Sequence, residues 1–396
     1  MGVSQTSVPP GWQFRRDLPN GSHGTQQLRP PTPGSAQLAP AVGRLGAAPG
    51  RSPPRSGDRH RAEPPARRWP VRLDRGSDDW SAVPPVTPPV RVTVLGLGLA
   101  GGRIHVPTLQ RLPQAKLVAL CDPDPVRRAG SWPAPVFAAW QDALEVSADA
   151  VVVATTPETH AELTAAAVSL GRHVYVEKPM AATVAEGVAL KHAAAAAGIV
   201  LQVGFAYRFH PLWRSVRRLL DRGWLEPRMV ARAQFTTPGG EGRREPVFDV
   251  ACHHLDLVSW LTEQRALEVQ VSDGGAVGAR WPCAAQLLGR YQVGPPTDVV
   301  TLSDGRRQVT VDRLRGWRLR GRPSPPVPAL VLARLARSGM EVSFTRALAV
   351  FLAAVRGGDG VIDGAAGPAD GIAAIAIIDA LRRSVVTGLP EPVAMV

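Results

Sequence analysis

A chain of 396 residues, 44% of them apolar, has room for two folded domains with sequence to spare, and no apolar run reaches the ~18 residues of a membrane span. A formal net charge of +13 invites nucleic-acid binding, yet the basic residues are scattered and almost all arginine, aromatics are only 5%, and no basic–aromatic interleaving occurs, so no nucleic-acid partner is expected. Cys121, Cys252 and Cys283 share no metal-ligand spacing and fit a reducing cytoplasm better than a disulfide framework.

Residues 1–89 hold nearly half of the chain's 39 prolines, with Gly, Ser and Arg and no sustained apolar periodicity, and read as a disordered tail. Arg15-Arg16 is followed by Asp17-Leu18-Pro19-Asn20 rather than an apolar stretch, so no export signal is expected. From Val90 a β-branched run ends in glycines, and β and α patterns then alternate. Strands are predicted at 90–95, 116–121, 150–154, 173–176 and 199–203, with helices at 100–112, 158–170 and 184–197. That rhythm implies a doubly wound parallel sheet, the Rossmann arrangement, over residues 90–207. Beyond it, helices are predicted at 211–221, 249–261, 344–355 and 369–386. Strands at 229–235, 268–271, 284–291, 299–302 and 308–314 have few helices between them. Residues 208–396 therefore read as an α+β domain with a large, mostly antiparallel open sheet.

Gly96-Leu97-Gly98-Leu99-Ala100-Gly101 matches G-x-G-x-x-G between a predicted strand and helix. Gly96 makes the tight turn, Gly98 lets the backbone approach a pyrophosphate, and Gly101 lets helix and strand pack closely; the helix N-terminus faces the phosphates. Asp122 ends the second predicted strand. It is placed either to bind the ribose 2′-hydroxyl, favouring NAD over NADP, or to cap the helix after Pro123, and Arg127 and Arg128 soften any preference so that NADP stays open. Thr155, Thr156, Pro157 and His160 follow the next strand and border the same crevice, His160 as a cofactor contact or a capping residue.

Glu177-Lys178-Pro179 again lies at the carboxyl end of a strand. Lys116, Lys178 and Lys191 are the chain's lysines, and Lys178 is placed to donate to a substrate oxygen with Glu177 orienting it. Asp249, His253 and Asp256 share a face if the segment is helical; His253 is suited to proton exchange near neutral pH, Asp249 to fixing its tautomer or touching the substrate, and His254 points about 100° away. A zinc site would need ligands the pattern does not supply, so no metal is expected.

Over residues 90–393 the chain resembles the Gfo/Idh/MocA family, named after glucose–fructose oxidoreductase and inositol dehydrogenase. The resemblance rests on the glycine motif with His105, on Thr156-Pro157-Glu158-Thr159-His160, and on Gly171-Arg172-His173-Val174-Tyr175-Val176-Glu177-Lys178-Pro179. It rests also on Gly204-Phe205-Ala206-Tyr207-Arg208-Phe209-His210-Pro211 and on Asp249-Val250-Ala251-Cys252-His253-His254-Leu255-Asp256. It implies a catalytic lysine at Lys178, a catalytic histidine at His253 and a substrate-binding aspartate at Asp249. It further implies a homo-oligomer formed on the open sheet and a sugar, sugar derivative or cyclitol as substrate. NAD-dependent hydride transfer to or from a secondary alcohol is the expected reaction. Glycoside cleavage with transient use of NAD and a non-catalytic dinucleotide sensor are the alternatives.

Overall fold

The segment Val90-Arg91-Val92-Thr93-Val94-Leu95 has no helical periodicity and four β-branched side chains, which pack well on a pleated surface. It forms β1 (Val90–Leu95), near the centre of a parallel sheet with β2 (Ala115–Cys121), β3 (Val136–Phe137), β4 (Ala150–Val153), β5 (His173–Val176) and β6 (Leu201–Val203). The computed structural model describes residues 88–237, 248, 250–272, 275–312, 318–322, 340–357 and 364–395, all within the unit Pro64–Val396. The reading of residues 1–87 as a disordered tail, and the role given to Asp249, lie outside the described residues.

Strand order in this sheet is β3-β2-β1-β4-β5-β6. The chain runs outward one way from β1, then returns to build the other half from β4, so the β1/β4 boundary is a topological switch point with a crevice at the carboxyl ends. Helices α1 (Val106–Arg111), α2 (Pro125–Arg128), α3 (Trp140–Glu145), α4 (Pro157–Ser169) and α5 (Val184–Ala196) make the connections. The start of α5 is fixed by a capping box: Thr183 Oγ1 accepts from the Glu186 N–H, and Glu186 Oε2 accepts from the Thr183 N–H at 2.9 Å.

The helix expected at 100–112 is not uniform. Gly101–His105 is a π-helical turn in which the Val106 N–H reaches back to Gly101 O, and α1 follows. Two adjacent glycines without Cβ atoms and Pro107, which has no N–H to give, loosen the ordinary i→i−4 pattern there.

The second half comprises α6 (Pro211–Asp221), β7 (Val230–Thr237), α7 (Ala251–Thr262), β8 (Glu268–Ser272), β9 (Ala276–Arg280), β10 (Gln286–Val293), β11 (Thr297–Ser303), β12 (Gln308–Asp312) and β13 (Arg318–Arg322). α8 (Met340–Val355), α9 (Pro368–Thr387) and β14 (Glu391–Pro392) complete it. Its eight strands run β13-β12-β11-β7-β10-β9-β8-β14, antiparallel except where β7 and β10 pair in parallel. Alternation along each strand sends Ala231, Phe235, Leu287, Val300 and Leu302 inward against α6, α7 and α9, while Arg232, Gln234 and Arg290 face out.

The last two helices return to the first sheet. Leu348, Phe351 and Leu352 of α8 complete the core on the face bearing Val92, Val94 and Val152, and Ile372 and Ile375 of α9 complete the face bearing Val151, Val153 and Val176. The parallel sheet is thus buried on both sides, as its apolar strands require. Among the described residues, no helix is long and apolar enough to cross a membrane.

Candidate active site

Four loops meet at the carboxyl ends of β1, β4, β5 and β6. The strand ladders hold them in step: Gly96 N–H donates to Cys121 O, Ala154 N–H to Leu95 O, Glu177 N–H to Val153 O and Gly204 N–H to Val176 O. Each loop therefore leaves the sheet at nearly the same level.

The glycine positions differ in what they tolerate. Gly96 has φ +94°, and a Cβ there would lie 2.5 Å from Ala154 O. A Cβ on Gly101 would lie 1.8 Å from Gly96 O. A Cβ on Gly98 would meet nothing nearer than Arg127 Nη1 at 3.8 Å, so its face opens onto the crevice, the cradle a pyrophosphate needs. Asp122 lies beside this loop with only 2% of its surface exposed. Its Oδ2 accepts from the Leu97 N–H at 2.7 Å and its Oδ1 from the Asp124 N–H at 2.9 Å, with Arg127 Nη1 at 3.4 Å from Oδ2. The carboxylate anchors the loop, while α2 has Asp124 as its cap.

His160 is 1% exposed, with Nδ1 2.7 Å from Pro179 O and Nε2 3.2 Å from Thr155 O. Burial lowers its pKa, so the neutral ring donates through one nitrogen only; the shorter contact assigns that donor to Nδ1. Through Nδ1 it ties the start of α4 to the loop after β5, and the unprotonated Nε2 faces Thr155 O. Thr155 Oγ1 accepts from Thr159 Oγ1 at 2.8 Å, and exposed Thr156 and half-buried Pro157 open α4.

Glu177 is the hub. Its Oε1 lies 2.7 Å from Nε2 of the fully buried His105, its Oε2 accepts from the Lys178 N–H at 3.3 Å, and it packs against Gly204, whose Cβ would come within 3.0 Å of the carboxyl. Burial pushes the Glu177 pKa up, but the His105 hydrogen bond and the charges of His105, Lys178 and His253 more than reverse it, so the group is held ionised below its ordinary value. The Lys178–Pro179 peptide is cis.

His253, in the first turn of α7, stacks on Tyr207 at 4.9 Å between ring centroids with 13° between planes, and meets the edge of Phe205 at 6.2 Å. The helix starts at Ala251 and carries His253 and Asp256 one turn apart, and Asp249 lies outside the described residues. Asp256 is sealed elsewhere. Arg208 Nε and Nη2 donate to it at 2.9 and 2.5 Å, and Arg208 Nη2 also lies 3.2 Å from Asp370. Burial would lower the Arg208 pKa, but the two carboxylates raise it. Among the described residues, no group of three or more His, Cys, Asp or Glu side chains is arranged to hold a metal ion.

Lys178, Glu177, His160 and the Thr155 loop are thus joined directly, the glycine loop joins them through His105, and His253 reaches them through Phe205, Tyr207 and the charge on Glu177. Asp122 joins the glycine loop through the Leu97 N–H. His105 and Tyr207 carried no assigned role in the sequence, because their partners lie far along the chain.

A doubly wound sheet with an open-faced Gly98 and an acidic residue closing β2 defines a dinucleotide-binding protein. Residues 90–205 match the Gfo/Idh/MocA family, described as an oxidoreductase family with an NAD-binding Rossmann fold. Inositol 2-dehydrogenase 3 of Saccharopolyspora erythraea is 31% identical over 191 residues, which is 46% of this chain and 56% of that protein. A 1-carboxy-3-chloro-3,4-dihydroxycyclohexa-1,5-diene dehydrogenase of Comamonas testosteroni is 30% identical over 250 residues, 58% of this chain and 61% of that one. The chain spans little more than half the length of these curated relatives. The WlbA dehydrogenase of Bordetella pertussis, solved with NADH and UDP-GlcNAcA, shares the fold at TM-score 0.66 and 19% identity over 79% of this chain and all of that one. GenD2 from gentamicin A biosynthesis, solved with NAD, does so at TM-score 0.61 and 22% identity over 78% of this chain and 97% of that one.

Proposed function

We propose that the protein is an NAD(P)-dependent dehydrogenase or reductase acting on a secondary alcohol of a sugar, sugar derivative or cyclitol. The observation that carries this reading is the hub at Glu177: one carboxylate at the carboxyl end of β5 is tied to the glycine-loop helix through His105 at 2.7 Å and accepts from the Lys178 N–H at 3.3 Å. Bound NAD supplies a hydride acceptor at its nicotinamide. The chain supplies the rest. His253 takes the hydroxyl proton during oxidation and returns it during reduction, and Lys178 donates to the same oxygen as charge grows on it. Asp249 is assigned by its sequence position to hold the substrate and the proton-transferring imidazole. Gly96, Gly98 and Gly101 shape the phosphate cradle, Asp122 stands at the ribose, and Thr155, Thr156 and Pro157 border the cofactor crevice.

The names of the matched relatives, inositol 2-dehydrogenases among them, support the polyol class. The acting species is proposed to be a cytoplasmic homo-oligomer formed on the outer face of the eight-stranded sheet, with a small molecule rather than a nucleic acid as partner. A panel of sugars and cyclitols with NAD and NADP, read by absorbance of the reduced cofactor, tests the reading. Net reduction with at least one polyol supports it; release of a sugar with no net cofactor change would replace it by glycoside cleavage.

A further inference from the structure

Beneath His253 the inner face of the eight-stranded sheet ends in a polar cluster that proton transfer at His253 does not by itself require. Tyr207 Oη donates to Asp298 Oδ2 at 2.7 Å. His254 Nδ1 lies 3.0 Å from Tyr291 Oη, and its Nε2 lies 3.4 Å from Asp298 Oδ1. The four side chains come from the turn after β6, from α7, from β10 and from β11, and none is more than 5% exposed. Neighbouring inward positions on the same strands are Leu287, Val300 and Leu302. An apolar layer would have been the simpler filling, since a buried carboxylate is costly unless each of its oxygens is engaged.

Burial and the charge of Asp298 hold the Tyr291 phenol well above its ordinary pKa, so it stays protonated, and its oxygen shares a hydrogen bond with His254 Nδ1 at 3.0 Å. His254 Nε2 faces Asp298 Oδ1 at ion-pair distance without a hydrogen bond to it. Asp298 in turn fixes the hydroxyl of Tyr207, and with it the plane of the ring on which His253 lies almost flat.

We propose that Tyr207 is the positioning residue for His253, a stacking platform whose plane is set by the buried Asp298–His254–Tyr291 cluster. The proposal rests on the reading of His253 as the proton-transferring group. His253 itself is only partly buried. Face-on stacking against Tyr207, with the Phe205 edge closing the side, leaves its imidazole little freedom to swing out of the plane in which its lone pair must meet the substrate hydroxyl. Misplacement of a reacting group by ~1 Å is enough to lose about 10²-fold in rate.

The test uses the full chain loaded with NADH and reads the imidazole ring-proton resonances, with His253 assigned by their disappearance in His253→Gln. In the parent the His253 signals are expected upfield, shielded by the Tyr207 ring. Tyr207→Leu should move them to ordinary positions, Asp298→Ala should move them part of the way, and Asp298→Asn, which still accepts from the phenol, should restore the parent position. Tyr207→Phe keeps the ring and severs it from Asp298, so its shift should match Asp298→Ala. NADH affinity should stay at the parent value in all four, which also certifies that each is folded. On the alcohol found by the substrate panel, Tyr207→Leu should lose about ten- to a hundred-fold in kcat with little change in KM. Parent-like His253 signals in Tyr207→Leu, or in both Asp298→Ala and Tyr207→Phe, would overturn the proposal. Full turnover by His253→Ala would instead defeat the proposed reaction while leaving the platform standing.

Discussion

Replacing Asp122 by alanine separates the ribose contact expected from the sequence from the loop anchoring that the structure adds. If it served only to meet the ribose and repel a 2′-phosphate, its loss would weaken NAD, strengthen NADP and leave the loop intact. The structure adds a second consequence. The carboxylate holds the Leu97 N–H at 2.7 Å and the Asp124 N–H at 2.9 Å, and both it and Leu97 are buried. A hydrogen bond to a charged group contributes about 1.5–3 kcal/mol. Losing the Leu97 contact alone removes roughly that amount from the bound-competent loop, and ~1.4 kcal/mol corresponds to a tenfold change in affinity. NADH and NADPH should therefore both bind about ten- to a hundred-fold more weakly to Asp122→Ala, with the larger loss for NADH. Titration of each cofactor by protein fluorescence measures this directly. Asp122→Asn, which retains an acceptor, should recover much of the shared loss without recovering the preference for NADH. Unchanged NADPH affinity in Asp122→Ala would refute the anchoring role.

Other outcomes follow from the same geometry. Gly98→Ala should fold normally, since the added Cβ clears the protein by 3.8 Å, yet lose cofactor affinity because it fills the cradle; Gly101→Ala should unfold the loop as well, visible as a lower Tm. Burial lowers the pKa of His160 from its ordinary 6.5, so the unfolded chain binds the proton first; stability should hold above about pH 6.5 and fall as the pH drops toward the lower folded value, and His160→Gln should flatten that limb in pH-dependent thermal melts. Arg208→Met leaves the Asp256 carboxylate buried without its guanidinium and should destabilise the fold by about 3–5 kcal/mol in urea titration, whereas a loss under ~1 kcal/mol would show that Asp256 is solvated or protonated there.

Much of this architecture was legible locally. Pro211 after His210, with an apolar stripe behind it, marks α6 to the residue, and β-branched runs mark β1, β4 and β5. Glu177-Lys178 could be placed because a strand end fixes which way the following loop faces. Two-residue strands such as β3 and β14 carry no periodicity, and the parallel pairing of β7 with β10 is a matter of strand order that neither strand's own residues encode. The hub and the platform depend on contacts between residues 72 and 91 apart, His105 with Glu177 and Tyr207 with Asp298, and no spacing rule reaches that far. His254 illustrates the limit: its angle on the helix showed that it leaves the face of His253, but not that it meets Tyr291 and Asp298.

Lys178 is proposed to act on the substrate oxygen and not on the dinucleotide. The most direct measurement compares NADH affinity and turnover in Lys178→Met, which keeps most of the stem and removes the donor. Affinity should stay near the parent value and the rate should fall by about 10²–10⁴-fold, because the ammonium interacts chiefly with charge that develops during the reaction. Turnover at the parent rate would contradict it.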